Sequence, residues 1–344
     1  MSVVHVVLPG DIDDPAAPSG GNAYDRRVCH GLAALGWTVQ EHPVPGGWPC
    51  PEPGERVALA GVLAGLPDGA LVLLDGLVAS VVPEVLAPHA RRLRLVVLVH
   101  LPFEDEAEAR SLALATGVVA TSEWTRRRLV DRYPLPADRV QVAAPGVDRA
   151  PLAPGSPNGI RLLCVAAVTP HKGHDVLAAA LATLAGLAWT CDCVGALTRD
   201  PGFVHRLRRQ LTDAGLADRV RLAGPCTGVV LDAAYAAADL LVLPSRRETY
   251  GMVVTEALAR GVPVLGSDTG GLPEALGHAP DGDRPGLLVP PDDPAALAEA
   301  LRRWLTGPDL RARLRHAAQR RRDTLTGWTV TADRLAAALK EAAA

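Results

Sequence analysis

Aromatic side chains are scarce: they make up 3% of the 344 residues, against 48% hydrophobic residues in all. That is an ordinary soluble composition with a lean aromatic supply. No apolar run reaches the length of a membrane span, and Met1–Pro9 is too short and lacks the charged start of a signal peptide. A cytoplasmic location is the resulting expectation. There is no excess of positive charge either. The net charge is −3, so no global basic field invites nucleic acid. Local arginine patches (Arg91, Arg92 and Arg94; Arg126–Arg128; Arg320–Arg322) read as solvated helix faces and strand entrances. No amphipathic helix with a clear apolar face lies beside them, which counts against membrane contact without removing it. The six cysteines lack the spacing of a zinc site, so buried free thiols are expected, with Cys191 and Cys193 on one face of a strand. The turn after the first strand lacks the G-x-G-x-x-G fingerprint, which counts against a nicotinamide enzyme.

What is present is an alternation of strands and helices over a length suited to two α/β domains. Ser2–Leu8 reads as a strand, Pro9–Gly21 as a loop, Ala23–Leu35 as a helix and Trp37–Gln40 as a second strand. His42–Glu55, rich in Pro and Gly, reads as a surface loop without regular structure. Further strands fit Ala70–Leu74, Leu93–His100, Gly117–Thr121 and Val140–Ala143. Pro151–Gly159 is the clearest linker and the expected hinge. The alternation then restarts at Ile160–Val168, with strands at Thr190–Val194, Val220–Ala223, Leu240–Leu243, Val262–Leu265 and Gly286–Val289. A last helix fits Val330–Ala343.

The most informative stretch is Leu243–Glu274, LPSRRETYGMVVTEALARGVPVLGSDTGGLPE. An apolar strand ends at Pro244-Ser245, which places Glu248 in the loop at its carboxyl end, where open α/β sheets bind ligands. Met252–Arg260 reads as a helix stopped by Gly261, and Val262–Leu265 as the next strand. Gly270-Gly271 then leads to another helix start near Pro273. Two helix amino-termini and a Gly-Gly backbone suit a phosphate-bearing ligand. The neighbouring carboxylates, Glu248 and Glu256, suit hydroxyl groups. Phosphate plus hydroxyls suggests a nucleotide sugar.

That stretch resembles the signature of the family 4 retaining glycosyltransferases, which have the GT-B fold. The matching elements are Pro244-Ser245, Glu248, Tyr250-Gly251, the Glu256-Ala257 run through Val264, and Gly270-Gly271 with Glu274. The resemblance extends to Val118–Leu129, Ala144–Asp148 and Thr169–Asp175. It implies an α/β protein of two doubly wound, Rossmann-like domains facing a cleft. Residues 1–154 would bind the acceptor and 155–326 the nucleotide sugar, with 327–344 a helix crossing back to the first domain.

The family's catalytic positions fall on His100, Lys172 and Glu248. By this likeness Glu248 contacts hydroxyls of the transferred sugar, and Glu256 holds the ribose. Lys172, one of two lysines in the chain, with Gly173 would hold the diphosphate. His100, ending VVLVH, would approach the donor sugar. Thr249, Tyr250, Gly251, Met252 and Val253 would offer backbone N–H groups, Gly251 permitting close approach. Gly20 and Gly21 precede a helix and could approach the donor diphosphate or the acceptor, while Gly195 and Gly224 would line the base pocket. One departure matters. The family carries an Arg five residues before the Lys, and here that position is Ala167. His171, Arg246 and Arg247 are the candidate replacements, and the sequence does not choose among them.

Plainer readings stand beside these. Glu248 could cap the next helix, Glu256 could be a surface helix carboxylate, and Arg246 or Arg247 a solvated loop residue. The acidic Glu104–Glu106 suits a helix amino-terminus at least as well as an acceptor contact. No Asp-x-Asp element is placed after a strand as metal-dependent glycosyltransferases of the other major fold carry it. Asp11–Asp14 and Asp281–Asp283 sit in Pro- and Gly-rich loops and read as solvated, so no metal and no cofactor is expected beyond a UDP- or GDP-type sugar donor. The expected activity is retaining transfer, of hexosyltransferase type, to a hydroxyl of a small molecule. The departing diphosphate would take the acceptor proton, and Lys172 and helix amino-termini would stabilise its charge. The alternatives are a GT-B nucleotide-sugar epimerase and an inactive nucleotide-binding scaffold. Oligomeric state is not legible.

Overall fold

The computed structural model describes residues 2–16 and 18–344; residue 1 and residue 17 of the expected loop at 9–21 lie outside the described residues. The chain divides into two compact units. Unit 1 holds residues 2–14, Gly20–Gly146 and Gly327–Ala344; unit 2 holds residues 15–16, 18–19 and Val147–Thr326.

Unit 1 begins β1 (Val3–Pro9), α1 (Gly20–Ala34), β2 (Thr38–Val44), α2 (Pro53–Ala64) and β3 (Leu71–Asp75). It continues through short helices α3 (Gly76–Ala79) and α4 (Pro83–Leu86) to β4 (Arg94–Val99) and α5 (Glu106–Leu114). β5 (Gly117–Ala120), α6 (Glu123–Arg132) and β6 (Val140–Val142) complete its first pass. The six strands form one sheet in the order β2-β1-β3-β4-β5-β6, with every pairing parallel. Strands covered on both faces read as continuous apolar runs, as Leu71–Leu74 and Leu95–Val99 do. The order reverses between β1 and β3, which opens a crevice beyond their carboxyl ends.

Unit 2 repeats the plan. Its first half is β7 (Arg161–Val165), α7 (His174–Ala182), β8 (Thr190–Val194), α8 (Pro201–Asp213), β9 (Val220–Gly224) and α9 (Gly228–Ala237). Its second half is β10 (Leu240–Leu243), α10 (Met252–Ala259), β11 (Val264–Ser267), α11 (Leu272–Leu276) and β12 (Gly286–Val289), closed by α12 (Pro294–Thr306) and α13 (Pro308–Arg322). The parallel sheet runs β12-β11-β10-β7-β8-β9, so its reversal lies between β7 and β10. The chain then returns to unit 1 as α14 (Trp328–Ala343), packed on α1 and the sheet.

Several expectations change. The stretch 42–55 is not all loop. β2 extends through Val44, and α2 starts at Pro53 because Glu52 and Glu55 form a reciprocal capping box. Pro151–Gly159 is not a free linker. Ala153 N–H donates to Arg260 O (2.8 Å) and Gly155 N–H to Ala236 O (3.2 Å). Buried Asp239 accepts from Ser156 N–H (2.7 Å), Ser156 Oγ (2.5 Å) and Arg161 N–H (2.9 Å), and pairs with Arg315. A buried carboxylate needs such partners, so the stretch is fastened to unit 2. Besides the short excursion at 15–19, the chain passes to unit 2 at 146/147, before that stretch, and returns to unit 1 at 326/327. All six cysteines are free, yet Cys50 is exposed and Cys226 half-buried rather than buried. The arginine patches are partly structural: Arg126 donates to Val140 O and Ala137 O, and Arg322 to Ala259 O and Ala150 O.

Candidate active site

In unit 2 the loops after β7 and β10 flank the reversal of strand order, and they bring Lys172 and Glu248 together. Lys172 Nζ donates to Glu248 Oε2 at 2.8 Å, with both side chains largely but not wholly covered. Three features fix this geometry. Arg246 N–H donates to His171 O (2.8 Å), tying one loop to the other. Gly173, left-handed at φ 70°, lies where a Cβ would meet Pro244 O at 2.0 Å. On the far side Gly271 N–H donates to Glu248 O (2.9 Å), and a Cβ on Gly270 would fall 1.6 Å from that oxygen. The Gly-Gly turn is therefore a seat for the Glu248–Thr249 backbone.

Gly251, at φ 93°, is the N-cap of α10, and no side chain caps that end. The first N–H groups of a helix have no partner within it, so those of Met252 and Val253 are free of intrahelical bonds and available to an anion. Glu256 lies one turn further on. Its Oε2 accepts from the hydroxyl of Tyr235, which is fully buried, at 2.7 Å, and the Arg260 guanidinium covers the Tyr235 ring at 4.7 Å. Burial raises the Glu256 carboxyl above its ordinary range, and the Tyr235 hydroxyl acts against that rise. The sequence reading did not include Tyr235. It is the only buried residue of α9, a signal the apolar run GVVLDAAYAA conceals.

The candidate replacements for the missing cation differ. Arg246 is spent within the protein, with paired bonds to Asp175 (2.8 and 2.9 Å), a bond to Asp292 and one to Pro170 O. Its hydrogen bonds to Asp175 hold its pKa above the ordinary value. Arg247 is exposed. His171 is exposed too, its Nδ1 lying 3.2 Å from Thr169 Oγ1, and desolvation followed by Lys172 lowers its pKa. Gly195 and Gly224 lie at the ends of β8 and β9 and bond to each other, Gly195 N–H donating to Gly224 O at 2.9 Å.

In unit 1, Gly20 and Gly21 open α1, and His100 follows β4. The imidazole lies against Gly21, whose Cβ would be 3.5 Å from His100 Cδ2. His100 Nε2 lies 2.8 Å from Asp25 Oδ1, and Tyr24 meets the ring edge-on at a centroid distance of 5.1 Å. Asp75, at the end of β3, completes a set in which one ligand atom from each of Asp25, Asp75 and His100 lies within 4.8 Å of the others. Neither aspartate figured in the sequence reading. Asp25 sits in the buried stripe Tyr24, Val28, Cys29 and Leu32 of α1, and Asp75 ends the apolar run LVLLD; those positions are the signals that could have found them. The acidic stretch at 104–106 is built into a helix start: Asp105 caps α5 by accepting from Glu108 N–H, and Glu104 pairs with Arg128.

Residues 154–321 match the family described as Glycosyl transferases group 1, and residues 67–150 that described as Glycosyltransferase Family 4. Both matches are to glycosyltransferase families, and together they cover most of the chain. It is 36% identical over 252 residues to a D-inositol 3-phosphate glycosyltransferase of Thermomonospora curvata, covering 66% of this chain and 57% of that protein. The chain thus spans under two thirds of the length of the curated relatives it matches. In fold it resembles the sucrose-phosphate synthase of Thermosynechococcus elongatus, with TM-score 0.78 and 22% identity over 98% of both chains. It also resembles Anabaena HepE crystallised with UDP-glucose, with TM-score 0.77 and 20% identity over 99% of both chains. The two parallel six-stranded sheets are those of the GT-B glycosyltransferases. Among the described residues no helix is long and apolar enough to cross a membrane.

Proposed function

We propose that this protein is a retaining glycosyltransferase of the family 4 type. It moves a hexosyl group from a nucleoside diphosphate sugar to a hydroxyl of a small-molecule acceptor, without a resident metal. The observation that carries this reading is the Lys172–Glu248 pair at the strand-order reversal of unit 2, beside the uncapped start of α10. A sugar nucleotide presents an anion and a set of hydroxyls, and this arrangement answers both. Glu248 receives sugar hydroxyls, Glu256 the ribose, and Gly195 and Gly224 border the base. Lys172, the N–H groups at Gly251–Val253 and the backbone at Gly173 take the diphosphate, and Lys172 stabilises the charge that grows on it as the anomeric bond breaks. With Ala167 in place of an arginine, Lys172 and the helix amino-terminus carry that task. Unit 1, with His100, Gly20 and Gly21, serves the acceptor and the donor sugar. The UDP-glucose complex of the Anabaena neighbour favours a uridine donor, and the curated relatives named for D-inositol 3-phosphate favour a polyol acceptor.

The test is release of free nucleoside diphosphate from a panel of UDP- and GDP-sugars, with and without mixed polyol acceptors. Release that rises with an acceptor, retains anomeric configuration in the product and falls on the order of 10²-fold in Lys172→Ala and Glu248→Ala is expected. Conversion of the sugar without diphosphate release would replace this reading with an epimerase, and binding without turnover with a scaffold.

A further inference from the structure

Unit 1 buries two carboxyl groups against one imidazole, and among the described residues no nearby cation is paired with them. Asp25 is 1% exposed and Asp75 2%. The charged group next in sequence, Arg26, is committed to Asp13 and Glu41 at 2.5 Å each. The other titratable neighbours offer no positive charge: Tyr24 gives its hydroxyl to Ala143 O (2.7 Å), and Cys29 is a buried thiol. Asp75 Oδ1 accepts from Leu77 N–H (2.6 Å), and Asp25 Oδ1 meets His100 Nε2. The Oδ2 atoms of both aspartates have no hydrogen-bond partner, and carboxyl oxygens of the two lie within 4.8 Å of each other. Buried side by side, they cannot both ionise.

A metal ion explains the geometry less well. Ligand atoms about 2.0–2.1 Å from one tetrahedral ion lie roughly 3.3 Å apart. The Asp25–His100 contact of 2.8 Å is that of a hydrogen bond.

We propose that Asp25 and Asp75 hold one proton between them, Asp75 as the acid and Asp25 as the carboxylate that accepts Nε2–H of His100. This pair fixes His100 as a neutral imidazole with a bare Nδ1. The directions of titration agree. Burial and the neighbouring Asp25 push the Asp75 carboxyl well above its ordinary range, whereas Asp25 is pushed only to about 7. Burial lowers His100, which keeps it neutral. Asp25 and Asp75 are then positioning residues. Through them His100 can accept a hydrogen bond from a hydroxyl but cannot donate one, so the ring selects a hydroxyl-bearing ligand. That use rests on the transferase reading; the tautomer does not.

Labelling the protein with ¹⁵N-histidine and recording ring ¹H–¹⁵N correlations at pH 8 tests the proposal. The His100 signals are assigned by their loss in His100→Gln. A protonated Nε2 and a bare Nδ1 are expected, retained in Asp75→Asn, whose amide N–H takes the place of the acid proton. In turnover, Asp75→Leu should lose kcat on the order of tenfold or more, and Asp75→Asn should recover most of that loss. An Nδ1–H tautomer, an imidazolium at pH 8, equal impairment of the two Asp75 variants, or a stoichiometric metal ion in the isolated protein would each overturn it. If Asp75→Leu does not fold, the spectra of the wild type and Asp75→Asn still decide. The spectra need no turnover, so an inactive chain with the expected tautomer would count against the transferase alone.

Discussion

Glu256 depends on a residue that contributes no charge of its own. Its carboxylate is half-buried on α10, and the Tyr235 hydroxyl 2.7 Å away favours its ionised form. Removing that hydroxyl has a calculable sign. Without the donor, burial acts unopposed, the carboxyl titrates at a higher pH, and the protonated form is a poorer acceptor for a ribose hydroxyl. Tyr235→Phe should therefore raise KM for the nucleotide sugar by roughly five- to tenfold, equivalent to about 1–1.5 kcal/mol. It should also move the acid limb of kcat/KM upward in pH while leaving kcat near wild type. Steady-state kinetics between pH 5 and pH 8 measure both effects. An unchanged KM, or a limb moved downward, would separate Glu256 from the nucleotide. The polar partners at this scale were unevenly visible. Glu248 and Lys172 stand in loops after apolar strands, where the pattern itself points to chemistry. Tyr235, Asp25 and Asp75 stand inside apolar stripes, and a one-dimensional pattern cannot say which helix residue meets which strand end.

The elements explain why glycine is required beside Glu248. A Cβ on Gly270 would fall 1.6 Å from Glu248 O, and the residue holds φ at 60°. Neither neighbour is a flexible side chain that could yield, since the obstructing atom is backbone. Gly270→Ala combines left-handed strain of about 1–3 kcal/mol with displacement of the Glu248 loop. The expected result is a lower melting temperature and loss of most turnover, whereas Gly186→Ala, where no atom lies within 4 Å, changes neither. Calorimetry with an activity assay checks the pair. Full activity in Gly270→Ala would show that the turn does not seat the glutamate. The strands and most helices followed from apolar runs and their glycine stops, because parallel strands covered on both faces announce themselves. The linker misled for a physical reason: Pro151–Gly159 has a loop composition, but a loop fastened by Asp239, Arg260 and Ala236 is a fixed part of unit 2.

Across the whole molecule, chain order and compact unit part company at the last helix. α14 follows unit 2 in sequence but completes unit 1, burying Thr331, Ala332, Leu335, Ala336, Ala338, Leu339 and Ala342. Its approach to α1 is close: a Cβ on Gly31 would fall 2.6 Å from Ala332 Cβ. Trp328 packs edge-on to Tyr24 at a centroid distance of 5.7 Å and lies under Arg27. Leu335 and Leu339 are both 0% exposed. Burying two such side chains contributes about 1.5–3 kcal/mol each. Together they supply roughly 3–6 kcal/mol, a large part of the ~5–15 kcal/mol that stabilises a domain. A chain ending at Gly327 should therefore lose the cooperative unfolding of unit 1, exposing β4 and β5 to proteolysis and Tyr24 to solvent. Unit 2 keeps its own sheet and core, and should melt as it does in the full chain. Calorimetry and mass-mapped limited proteolysis distinguish the two units. If unit 1 of the shortened chain resists cleavage and melts unchanged, α14 is an accessory to that fold; if unit 2 collapses with unit 1, the two units do not unfold independently.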